Sequence, residues 1–140
     1  MNKANNYVSP EQIKKLKLKP IIEESIIFAK VGAAIFLERK RIAINFLIDN
    51  NMMAFTPRDD INFLYHWTNR IHLSKFAQVG ALPSYNASDL KTIKISLPCQ
   101  KEQEKIARFL STIDTKIEQI QNQLKQTKEF KKALLQQMFV

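Results

Sequence analysis

After Pro98 the chain contains neither proline nor glycine: residues 99–140, 42 positions, hold nothing that breaks a helix. Apolar residues stand there at Ile106, Leu110, Ile113, Ile117, Ile120 and Leu124, and again at Leu134 and Met138. The steps alternate between four and three residues, and Thr127 and Lys131 carry the same register through the polar gap. That repeat belongs to a helix that lays one seam along another helix. A helix over Lys101–Phe139 is about 58 Å long at ~1.5 Å per residue. The part of the chain before it makes a body only roughly 25 Å across. A seam that outruns its own domain needs a second helix to cover it. Coiled-coil or bundle pairing through these eight residues is therefore expected, with Thr127 and Lys131 as polar register positions.

The preceding part reads differently. All five prolines and both glycines, Gly32 and Gly80, fall within residues 1–98, which places the boundary near Leu97–Cys99. Ser9-Pro10-Glu11-Gln12 opens a short helix, with Ser9 as cap, Pro10 at the first position and Gln12 completing a capping box. Pro20 limits its length. Short apolar, β-branched runs then predict strands at Ile26–Ala29, Ile42–Ile48 and Met52–Phe55, separated by charged and turn residues. A helix is expected from Asp59 or Asp60 to Lys75, since Ile61, Leu64, Tyr65, Thr68, Ile71 and Leu73 keep an approximate 3.6 period. Gly80–Asn86 reads as a loop and Ser88-Asp89-Leu90 as a brief helical turn. Ile93, Ile95 and Leu97, alternating with Lys94 and Ser96, predict a strand with one wet face. The class is α+β: a small mixed domain over 1–98 and one long helix over 99–140.

Several chemistries drop out on residue counts. Two glycines cannot write a phosphate-binding loop or a dinucleotide fingerprint. The single Cys99 excludes an intramolecular disulfide framework and a cysteine-based zinc cluster, and suits a reducing compartment. His66 and His72 stand six apart, off the helical spacing that aims two ligands at one metal. Asp59 and Asp60 are adjacent and point apart on a helix, which suits a helix start better than a pair of acid–base carboxylates. No catalytic site, metal or cofactor is expected. The first nine residues are polar and no run of about 18 apolar residues occurs, so no membrane span is foreseen and the expected location is cytoplasmic.

Charge points to a polyanionic partner. Lys and Arg number 22 against 13 acids, a net +9, and most of the excess lies before residue 99. That distribution suits nucleic acid ahead of a membrane surface.

The stretch Leu97-Pro98-Cys99-Gln100-Lys101-Glu102-Gln103, followed by Ile106-Ala107, Leu110, Ile113-Asp114 and Ile117, and closing with Leu134-Leu135-Gln136 and Phe139, resembles the DNA-specificity subunit of type I restriction–modification enzymes. Residues 7–97 resemble it more loosely, at Tyr7-Val8-Ser9, Phe28-Ala29-Lys30-Val31-Gly32, Leu47–Asn51 and Gly80 followed by Leu90–Leu97. Glu24-Ser25 stands where that family has Gly-Asp. The likeness is to the later part of one target recognition domain plus one spacer helix, as in a half-subunit or a fragment. It implies a binding module whose domains each read half of a split double-stranded DNA target, with helices fixing their separation. It also implies methyltransferase and motor-nuclease subunits as partners, which carry the chemistry.

With one helix per chain, homodimerisation through residues 101–139, in antiparallel sense, is the expected way to cover the seam. The residues expected to meet DNA are Lys30, Arg39, Lys40, Arg41, Ser84, Tyr85 and Asn86. For Arg39–Arg41 a solvated hairpin turn remains the alternative, for Lys30 an ordinary turn lysine, and for Ser84–Asn86 a structural loop cap. At the level of the whole chain, the alternative is a coiled-coil scaffold that binds methyltransferase subunits without DNA specificity of its own.

Overall fold

The computed structural model describes residues 7–78 and 80–139. Helix α1, Pro10–Lys15, starts as its sequence dictates. The Ser9 hydroxyl accepts from the Gln12 amide at 3.2 Å, and the Gln12 side chain accepts from the Ser9 amide at 2.9 Å. None of its residues is buried, and it stops as Lys17 turns left-handed at φ 50°.

Three antiparallel strands follow: β1 Ser25–Ala29, β2 Lys40–Ala43 and β3 Met52–Phe55, in the order β2-β1-β3. Phe28 lies opposite Lys40 and Met53, and Ile26 opposite Ile42 and Phe55. Residues directly opposite share a face of the sheet, so these six side chains form one face. Ile26 and Phe28 are buried there in one core with Ile35, Phe63, Leu64, Leu73, Tyr85 and Ala107. Each buried Ile, Leu or Phe among them contributes about 1.5–3 kcal/mol by leaving water. The opposite face carries Ser25, Ile27, Arg41, Ala43 and Ala54. Ser25, at the position where the resemblance has an aspartate, is fully buried and hydrogen-bonds Thr56 at 2.7 Å.

Helix α2, Ile61–Arg70, begins where the Asp60 carboxylate accepts from the Phe63 amide at 2.7 Å. Helix α3, Ala87–Lys91, is capped by Asn86, and α4 runs Gln100–Met138, 39 residues. Cys99 at the start of α4 offers no side-chain cap. Instead the buried Gln103 reaches back to donate to the Pro98 carbonyl at 3.0 Å, which ties together two residues of the Pro-to-Gln run.

Three local expectations are corrected. The strand over Ile42–Ile48 ends at Ala43, because Asn45 adopts φ 52° and Phe46 then meets Ile21 in a single bridge. Ile93–Leu97 joins no ladder; Ile93 and Ile95 satisfy their apolar alternation by packing against the core. The helix expected to reach Lys75 stops at Arg70, and Leu73–Phe76 form a separate 3-10 turn. The break has a cause outside the segment. The carboxylate of Glu38 accepts from the Leu73 and Ser74 amides at 3.1 and 2.8 Å, and the Lys40 ammonium donates to the Ile71 carbonyl at 3.1 Å. Backbone groups that a continuing helix needs are held by side chains from before and within β2.

Candidate nucleic-acid interface

The expected DNA-contacting residues converge on one end of the sheet. Strand β1 ends at Ala29, next to the start of β2 and the start of β3. Lys30 follows directly, with its amide donating to the Asn51 carbonyl and its carbonyl accepting from the Tyr85 amide. Val31 bridges Ser84. Gly32, at φ 78° and ψ −168°, lets the chain turn there, a conformation that side chains with a Cβ rarely adopt. Its amide donates to the Pro83 carbonyl, so this turn holds no free backbone donor at Gly32.

Within that cluster the structure separates exposed groups from committed ones. Lys40 is committed within the fold: its side chain is only 2% exposed, paired with Glu38 at 2.9 Å and bonded to Ile71, because it projects onto the core face beside Phe28. It cannot meet a phosphate without breaking that buried pair. Tyr85 is buried as well; its ring packs near Phe28 and its hydroxyl donates to the Ala29 carbonyl at 2.5 Å. Burial, and then the nearby charge of Glu38, push its phenol well above the usual range. Asn86 is exposed, but its side-chain oxygen accepts from the Ser88 and Asp89 amides and from the Ser88 hydroxyl, so it serves as a helix cap. Ser84 is half-buried, and its carbonyl accepts from the Gln78 amide.

Arg39 and Arg41 are exposed, and Lys30 is half-exposed. Arg41 stands opposite Ile27 on the sheet face away from the core. Phe36 and Leu37, more than half exposed on the 3-10 turn Ala33–Leu37, add apolar surface between Lys30 and Arg39. A second basic run lies outside the expected contacts. Lys14, Lys15, Lys17 and Lys19 are all exposed on and just after α1, four cations in six residues. Their spacing without an intervening acid was a signal available in the sequence.

The long helix leaves its seam open. Ile106 and Leu110 are half-buried, with Ile106 packing on the chain's own core, so the start of the seam is partly covered at home. From Ile113 onward it is exposed: Ile117 at 47%, Ile120 at 63%, Leu124 at 53%, Leu134 at 39% and Met138 at 72%.

His66 is a residue whose place the sequence gave no reason to expect. From α2 it reaches α4, with Nε2 3.1 Å from the Ser111 hydroxyl and Nδ1 3.7 Å from the Asp114 carboxylate. Serine, histidine and aspartate together suggest a hydrolytic triad, but the geometry is against it. Ser111 lies in mid-helix, where neighbouring amides are bonded along α4 and none is left to hold an oxyanion. The 3.7 Å separation is also too long for a hydrogen bond.

The family model described as "Type I restriction modification DNA specificity domain" matches residues 1–129, which takes in the whole mixed domain and α4 as far as Glu129. The chain belongs to that family. The match extends over both unlike parts of the sequence, including the loosely similar residues before 97. Among the described residues, no helix of this specificity domain is long and apolar enough to cross a membrane.

Proposed function

We propose that this specificity domain is a non-catalytic reader of double-stranded DNA that acts as a half-subunit, two copies pairing through α4 to recognise a split target. The observation that carries the reading is a 39-residue helix with an exposed apolar seam, joined to a basic domain in which Lys30 and Arg39 flank one end of the sheet. Lys30, Arg39, Arg41 and the lysines after Ser9 supply phosphate contacts. Arg39 and Arg41 suit guanine edges, and Phe36 the methyl of thymine.

Charge along α4 supports antiparallel pairing. Between Gln100 and Ile120 the four basic residues Lys101, Lys105, Arg108 and Lys116 are matched by Glu102, Glu104, Asp114 and Glu118. Beyond them stand Lys125, Lys128, Lys131 and Lys132 against Glu129 alone. Parallel pairing brings the two lysine-rich ends together, whereas antiparallel pairing sets each against a balanced half and puts the domains at opposite ends. Centred near Asn122, that arrangement places Ile106 opposite Met138 and Leu110 opposite Leu134. The methyltransferase and motor-nuclease subunits of a type I complex are the proposed partners, and chemistry belongs to them; the proposed location is cytoplasmic.

Selection of bound duplexes from a random pool tests the reading. Enrichment of a bipartite sequence with a fixed gap is the expected result. Equal binding of all sequences, governed by salt alone, overturns it.

A further inference from the structure

The packing between α4 and the mixed domain runs chiefly through α2. Its buried centre on α4 is Gln103 and Ala107, 3% and 4% exposed. A single packed patch on one helix is a pivot: it fixes where two bodies touch and leaves their angle soft. A second contact farther along the axis turns the pivot into a fixed angle. His66 to Ser111 is that contact, one turn past Ala107 and about 6 Å along the helix. Among the described residues it is the side-chain hydrogen bond that joins α2 to α4, and the Asp114 carboxylate lies 3.7 Å from the other ring nitrogen, Nδ1. Tyr65, ring edge against His66 with centroids 5.6 Å apart, backs the imidazole from its own helix.

We infer that His66 is a positioning residue for target spacing: the His66–Ser111 latch sets the tilt of the recognition domain on its helix, and so the gap between half-sites. The inference rests on the paired-reader function proposed above. Leverage is the physical reason. A DNA-facing surface roughly 20 Å from the pivot moves about 3.5 Å when the domain rocks by about 10°, and the rise of one base pair is about 3.4 Å. Loss of the latch therefore blurs spacing by about one base pair without removing any group that touches DNA.

The test uses the full chain and three variants. H66A removes the imidazole; S111A removes the same bond from the other side and places a good helix former in α4, so folding is not put at risk. H66Q keeps a side chain able to bond the Ser111 hydroxyl. Two readouts are taken. The first is affinity for targets that carry the selected half-sites at gaps one base pair shorter and longer than the best. The second is the distribution of distances between spin labels at K91C and N122C, in a C99S background because Cys99 is an exposed thiol, with labelled chains diluted in unlabelled ones.

For H66A and S111A the preference for the best gap is expected to fall from about tenfold to under about threefold, with a smaller loss at the best site itself. The distance distribution should broaden in both, and H66Q should restore both readouts towards wild type. Unchanged widths and unchanged gap preference in H66A and S111A overturn the latch. Should the wild-type protein show no preferred gap, the paired-reader function and the spacing role fall together, while the distance distributions still decide whether the latch holds the angle.

Discussion

Lys40 and Glu38 form an ion pair at 2.9 Å whose lysine is almost wholly out of water. The pair does three structural tasks at once. It neutralises a charge on the core face of β2, it holds the amides of Leu73 and Ser74, and it ends α2 at Arg70. Removing one partner of such a pair strands the other, which costs far more than an exposed pair contributes.

That arrangement makes stability depend on acid. Burial alone raises the Glu38 carboxyl, but the Ser74 amide and hydroxyl, the Lys40 ammonium and the Leu73 amide outweigh it and bring the pKa from 4.5 to about 2. A carboxylate with a lowered folded-state pKa stabilises the fold in full above the unfolded value and loses that contribution as pH falls through the folded one. E38Q should therefore lower stability by about 2 kcal/mol at neutral pH, after allowance for the carboxylate's partial exposure, and the gap from wild type should close as pH approaches 2. Urea midpoints across that range check it; a gap that stays constant with pH contradicts it.

Lys40 and its neighbours should separate cleanly. K40A is expected to cost about 3 kcal/mol of stability while leaving the salt dependence of DNA binding as in wild type. R39A and R41A should leave stability within about 0.5 kcal/mol and each lower the log–log salt slope by about one. Thermal unfolding and binding at several salt concentrations distinguish them. A reduced slope in K40A would return that lysine to the interface.

Burial and its bond to Ala29 give Tyr85 a structural task that a substitution can separate from DNA binding. Y85F removes the hydroxyl that donates to Ala29 and leaves the carbonyl without it, at a cost of about 1–2 kcal/mol. DNA affinity under folding conditions should not change. A variant as stable as wild type but weakened in binding would reverse the assignment.

Pairing through α4 predicts a mass change. Ile113 and Ile117 are exposed in the single chain, so I113K/I117K disturbs no core of its own. Sedimentation should show the variant as a monomer and the wild type as a dimer, with the domain melting where it did before. A variant that keeps the wild-type mass removes the seam from the interface.

What the sequence determined by itself is local and periodic. Forty-two residues without a helix breaker and a seam stepping by four and three define α4, because helix propensity and periodicity act over neighbouring residues. The same holds for the Ser9–Gln12 capping box, for β1 and for β3. Tertiary structure decided where α2 ends, which member of Arg39-Lys40-Arg41 turns inward, and that His66 reaches Ser111. Those outcomes depend on which groups leave water together, and a lysine's sequence neighbours do not reveal that Ile71 and Glu38 will enclose it. Periodicity marks the face of an element; long-range hydrogen bonds and desolvation choose which polar groups that face keeps.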